Sequence, residues 1–240
     1  MKKLTCALLV AMFTMTSMLF AQISGGPIVV VSDYITITNK TTKESKTIST
    51  SDFTSAGNNK YTYDVDFCLG VYKNDEIEVT YTPKASLAPQ IAWSYAWNGG
   101  FSTTNLGTAF TANLSVSAPF DKSVLTFTCN YRRNGQSETS IFYNINVKNV
   151  HNGNRITLAK YSEREIQVVY AYYAEDGVYS CSGQSPKTSL YILGSENPIS
   201  TGGLNGIGMG TLDTKGNTGT LVVKVFVNNV DIFTGKILVK

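Results

Sequence analysis

SVLTFTCNYRRNGQSETSIFYNINV, residues 123–147, decides the fold of this chain. Apolar and polar residues alternate through its first run. Leu125, Phe127, Cys129 and Tyr131 fall on one side, with Val124, Thr126, Thr128 and Asn130 on the other. The second run repeats the pattern, with Ile141, Tyr143, Ile145 and Val147 against Phe142, Asn144 and Asn146. A period of two sends successive side chains to opposite faces of an extended strand, so each run predicts a strand with one face on a core. Asn134-Gly135 separates the runs, and both residues accept positive φ, which predicts a hairpin. Cys129 lies in the middle of the inward face. Three roles are open to it: half of a disulfide, a reactive thiol, or a buried small apolar side chain.

The same alternation extends along the chain in both directions. IEVTY (77–81) groups Ile77, Val79 and Tyr81; IAWSYAW (91–97) groups Ile91, Trp93, Tyr95 and Trp97; ANLSVSA (112–118) groups Ala112, Leu114, Val116 and Ala118. Asn98-Gly99-Gly100 and Ala118-Pro119 supply turn signals between them. The best helix candidate, AKYSEREIQVVYAYYAED (159–176), turns into Ile166, Val168, Tyr170 and Tyr172 at period two. Its β-branched and aromatic content predicts a strand instead. The polar stretch VKNVHNGNR (147–155) predicts a boundary. Beyond it REIQVVYAYY, TSLYILG, GTLVVKVFV and DIFTGKILV predict four more strands. The expected class is all-β, with a sandwich over 22–149 and a second small β domain over 150–240; one larger sandwich is the alternative. Ser200–Gly219 holds seven glycines and predicts a poorly ordered stretch, because glycine loses the most entropy on ordering.

The chain opens MKKLTCALLVAMFTMTSMLFAQ: two lysines, an apolar run from Ala7 to Phe20, then a small residue at Ala21. That layout predicts a secretory signal peptide over 1–21, cleaved near Ala21, and a secreted or outer-surface location. The apolar run is short for a membrane span, so no integral membrane protein is expected. Removing Lys2 and Lys3 takes the formal net charge from +3 to +1, with no basic stripe, so no nucleic-acid partner is expected. Cys68, Cys129 and Cys181 remain. At most one intrachain bridge can form among the three, and the sequence does not pick the pair. They lack a close Cys-x-x-Cys spacing, and the only histidine, His151, lies in the loop-like VHNGNR, so no metal site is expected.

The segment Asp75–Val147 resembles an immunoglobulin-like module of bacterial surface proteins. DEIEVTY is similar to its second strand, IAWSYAW to its third with Trp93 as the core tryptophan, and ANLSVSAP to its fifth. SVLTFTCNYRRNG and SIFYNINV are similar to its final hairpin. The resemblance implies a tyrosine two residues before Cys129, where this chain has Phe127. It also implies a partner cysteine on the second strand, where Val79 stands. The ending DIFTGKILVK and the LFAQ of the leader resemble type IX secretion cargo, although Asn197-Pro198 is the only trace of the proline motif and the Gly-x-Tyr strand is missing.

Chemistry is sparse. One histidine in a linker-like segment does not furnish a Ser-His-Asp or Cys-His device. The carboxylates read as solvated strand faces and turns. Asp64 and Asp66 share a strand face, but no glycine-punctuated loop makes them a calcium site. GGLNGIGMG lacks the G-x-G-x-x-G order of a nucleotide loop. Aromatic residues are the candidates for ligand contact: Trp97 and Tyr95 on one strand, Tyr172 and Tyr173 in a second cluster. The expected function is a non-enzymatic, secreted or cell-surface binding or adhesion protein without cofactor. Its ligand would be a surface protein or a glycan. Alternatives are a carbohydrate-binding module or glycosidase accessory, and a structural subunit of an envelope assembly.

Overall fold

A computed structural model describes residues 32–83, 89–98, 102–132, 140–171, 186–205 and 208–240. The leader, the Asn134-Gly135 turn, Tyr172, Tyr173 and Cys181 lie outside the described residues. Two pairs of sheets enclose two cores within the unit Ser32–Lys240.

In the first pair, one sheet runs β2 (Glu44–Ser49), β1 (Tyr34–Asn39), β6 (Glu76–Thr82) and β9 (Thr111–Ser115). The facing sheet runs β3 (Thr54–Gly57), β4 (Lys60–Val65), β11 (Ile141–His151), β10 (Ser123–Arg132), β7 (Gln90–Trp97) and β8 (Thr104–Gly107). The short β5 (Val71–Tyr72) pairs with β11 in parallel, as β4 does. With β1, β6 and β9 on one side and β7, β10 and β11 on the other, this is the strand order of an immunoglobulin-like sandwich. The strands read from the sequence are β6, β7, β9, β10 and β11, and they take the places the resemblance implied.

The alternation is realised side chain by side chain. Leu125, Phe127 and Cys129 of β10 are fully buried beside Trp93, Val79, Ile145 and Val147. Burying each large apolar side chain contributes about 1.5–3 kcal/mol. On the opposite face of β10, Thr126 and Thr128 donate to Asn146 and Asn144 of β11 at 2.9 and 2.8 Å.

In the second pair, β12 (Ile156–Lys160), β13 (Glu165–Tyr170) and β16 (Met209–Asp213) form one sheet. The other is β15 (Ser200–Gly203), β14 (Lys187–Ile192), β17 (Gly219–Val227) and β18 (Val230–Val239). Ile166, Val168, Tyr170, Leu190, Leu212 and Leu221 are fully buried in its core. The glycine-rich stretch departs from expectation, since it contributes both β15 and β16. A Cβ built on Gly210 would lie 2.8 Å from the Gly203 carbonyl oxygen, so glycine is needed where these strands approach.

A second departure is His151. It ends strand β11, is 2% exposed, and stacks on Tyr72 with ring centroids 4.7 Å apart, so the expected loop is core. Between Phe67 and Val71 of the first core, Leu69 turns into the second core, so this short segment serves both. Among the described residues no helix is long and apolar enough to cross a membrane.

Candidate binding site

The inward tyrosine and tryptophan of β7 do not form an exposed platform. Tyr95 and Trp97 share a face with Trp93, pair alongside Phe127 and Leu125 of β10, and pack half-buried against the first core. Their rings meet edge to face at 6.5 Å. The reason is the period-two rule itself: residues 91, 93, 95 and 97 must share a side, and Trp93 fixes that side as the core.

The outer face of the same two strands offers a different surface. Pairing of β7 with β10 sets Ala92 beside Asn130 and Gln90 beside Arg132. On its other edge β7 is covered by β8 only from Trp93 to Tyr95. The chain leaves β8 at Gly107, whose φ of +109° is rarely adopted by other residues. It then crosses toward the opposite sheet, and the Phe110 carbonyl accepts from Tyr81 N at 2.9 Å and from Trp93 Nε1 at 3.3 Å. These bonds anchor the crossing segment and leave a cleft of about 600 Å³ between it and the start of β7.

Gln90, Ala92, Thr108, Phe110, Asn130 and Arg132 line this cleft. Phe110 is 41% exposed, and its ring stacks on Tyr81 behind it. Arg132 is exposed and donates from Nε to Ser140 Oγ at 2.8 Å; among the described residues its guanidinium has no carboxylate partner. Asn130 Oδ1 is buried and accepts no hydrogen bond among the described residues. A buried polar atom without a partner costs about 1–3 kcal/mol, so native structures keep few of them. Behind the cleft, Tyr81, Tyr131 and Tyr143 form a ring cluster with centroid separations of 5.8 and 6.4 Å. Burial pushes the Tyr143 hydroxyl up to about 12, and that of Tyr81 further still, so this wall stays uncharged. The cleft thus combines a cation, an unfilled acceptor and an apolar ring.

The cysteines resolve in part. Cys129 is a free, fully buried thiol, so it is not the disulfide half that was one of its open roles. Val79 occupies the second strand where a partner would stand, and burial raises the thiol above its ordinary range. Cys68 is disulfide-bonded, and the other half lies outside the described residues. Asp64, one of the paired acids, is engaged by Lys148 at 2.6 Å and Asn146 at 3.0 Å, and the Lys148 contact holds its carboxyl below the usual range.

One cluster had no counterpart in the sequence reading. Arg155, buried between the two cores, donates to Asp75 at 2.5 Å, to the Leu69 and Gly70 carbonyls at 2.5 and 3.4 Å, and to Tyr170 Oη at 3.1 Å. Asp75 also accepts from Asn39 Nδ2 at 2.8 Å and Tyr72 N at 3.0 Å. The Arg155 guanidinium lies 4.7 Å from the Tyr72 ring centroid. With those donors committed to protein acceptors, the cluster is a joint between sandwiches. Its partners are eighty residues apart in sequence, which is why no local pattern announces it.

No family model and no curated protein matches this chain. Solved structures do. Domains 3 and 4 of rat CD4 share 9% identity over 74% of this chain and 99% of that one, with a TM-score of 0.32. The fibronectin(III)-like modules of Clostridium thermocellum CbhA share 12% over 71% and 88%, also at 0.32. The chicken CNTN1 FN1–FN3 domains share 9% at a TM-score of 0.30; the match covers 71% of this chain and 62% of that one. At such scores the fold assignment rests on the strand pairing given above.

Proposed function

We propose that this chain is an exported, non-enzymatic binding protein whose ligand-contacting surface is the cleft at the end of the first sandwich. The observation that carries the reading is Asn130 Oδ1, a buried acceptor left unfilled in a cleft that also presents Arg132 and Phe110. Thr108 and Phe110 lie on the connection from β8 to β9, and connections held by a rigid sheet are where binding residues concentrate. Non-enzymatic action is supported by the fate of the reactive residue types. His151 is stacked in the core, and Cys129 is kept a thiol by burial, whereas nucleophiles need an accessible thiolate. Export is supported by the leader-like residues 1–21 and by the bonded state of Cys68, since disulfides persist in oxidising compartments. Isothermal titration against cell-surface extracts, fractionated into glycans and proteins, tests the reading. The expected result is saturable binding that weakens when Phe110→Ala and Arg132→Gln are introduced. Reproducible turnover of a substrate, or binding indifferent to both substitutions, would reject it.

A second reading, a subunit of an envelope assembly, is favoured by β18. This ten-residue strand is the last of its sheet and leaves Leu238 60% exposed. Long open edges pair with neighbouring strands. Concentration-dependent sizing by light scattering distinguishes the two, because an assembly subunit should form oligomers and a solitary binder should not.

A further inference from the structure

The geometry points to an acidic saccharide as the ligand of the β7–β10 cleft, an inference that rests on the binding reading above. Arg132 and Asn130 are two residues apart on one strand face, so their side chains leave the sheet about 6.6 Å apart. That is about the span of one pyranose ring from a carboxylate to a hydroxyl across the ring. The guanidinium has no carboxylate partner among the described residues, and carboxylates are its best match through paired, charge-assisted bonds. Asn130 Oδ1 needs a donor, and a sugar hydroxyl is one. Gln90, beside Arg132, adds an exposed amide able to donate and accept. Phe110 closes the site with an exposed ring whose other side rests on Tyr81, leaving an apolar surface for the C–H face of the sugar. The volume of about 600 Å³ holds a small oligosaccharide rather than a single small ion.

An extended acidic peptide is the competing occupant, because Gln90 to Ala92 form an edge that β8 does not cover. Strand addition draws its affinity from a ladder of main-chain bonds. Here β8 already pairs with β7 at Trp93, so the ladder would stop within three residues. The short edge and the aromatic wall favour the sugar.

The test is a titration of the purified protein with a panel of uronic- and sialic-acid-terminated oligosaccharides, their methyl esters and an acidic tripeptide. Heat is read by calorimetry, and the Asn130 and Arg132 side-chain resonances by NMR. The expected result is that the acids shift both side chains and bind about tenfold or more tightly than the esters, as a charge-assisted bond at a partly exposed site implies. Arg132→Gln should erase that ratio. Asn130→Ala should weaken acids and esters alike without lowering Tm, so lost binding cannot be blamed on unfolding. Esters that bind as well as acids would overturn the acidic assignment while leaving the binding reading intact. Binding of the tripeptide with no response to any sugar would overturn it in favour of a peptide. If no probe moved either side chain, this inference would fall, while the binding reading would stand or fall on the titration against cell-surface extracts.

Discussion

Replacing Arg155 with methionine should loosen the joint between the sandwiches at a cost that follows from its surroundings. The side chains of Arg155 and Asp75 are each only 5% exposed. Methionine keeps the apolar stem and deletes four donated hydrogen bonds. Leu69 O retains the Tyr170 hydroxyl at 2.8 Å, but among the described residues Asp75 is left as a buried carboxylate held by Asn39 and Tyr72 N. Removing one partner of a buried ion pair costs about 3–5 kcal/mol, mostly for the charge left behind. In a chain of this size each kcal/mol lowers Tm by about 2–4 °C, which gives a drop of roughly 6–20 °C. Calorimetry and urea titration at constant m would measure it. The cause is checked by a double-mutant cycle. Asp75→Asn removes the stranded charge, so Arg155→Met with Asp75→Asn should be no less stable than Arg155→Met alone, a coupling of about 2–3 kcal/mol. A single-variant cost below about 1 kcal/mol, or strictly additive singles, would refute the view that this pair holds the joint.

Three further outcomes are expected. The Cys129 thiol should resist Ellman's reagent in the folded protein and titrate only on unfolding, because burial suppresses its thiolate; fast labelling of the native state would contradict the fold around it. Burial raises the Glu44 carboxyl despite its bonds from Leu69 N at 3.0 Å and Thr42 at 3.2 Å. A folded-state acid raised above its unfolded value costs stability once it ionises, so Glu44→Gln should stabilise the protein at pH 7, with the gain fading as pH falls below the ordinary glutamate range; chemical denaturation at pH 7 and pH 3.5 would show it. Gly210→Ala should destabilise by about 1–3 kcal/mol, as overpacking does, whereas Gly203→Ala, which meets nothing within 4 Å, should cost far less; equal costs by thermal melts would argue against the close approach of β15 and β16.

The first sandwich was legible because its strands alternate strictly. Leu125, Phe127, Cys129, Ile145 and Val147 are buried in the core with Tyr131 and Tyr143 packed against it, and β7 and β6 repeat the rule. Trp97 and Tyr95, the expected contact candidates, pack half-buried against the core for a related reason. Aromatic character suggests recognition, but face membership is shared along a strand, and Trp93 commits that face to the interior. The glycines of 200–219 were read for their entropy when unfolded, whereas the fold uses their missing side chains to bring two strands together.

Local sequence determined the strand class and the inward face of each principal strand, Cys129 included, because alternation and turn chemistry act over a few residues. The tertiary structure alone decided that Asn130 and Arg132 border a cleft and that Arg155 meets Asp75. Those outcomes depend on where Phe110 crosses between sheets and where the second sandwich docks, through contacts between residues that the linear order keeps far apart.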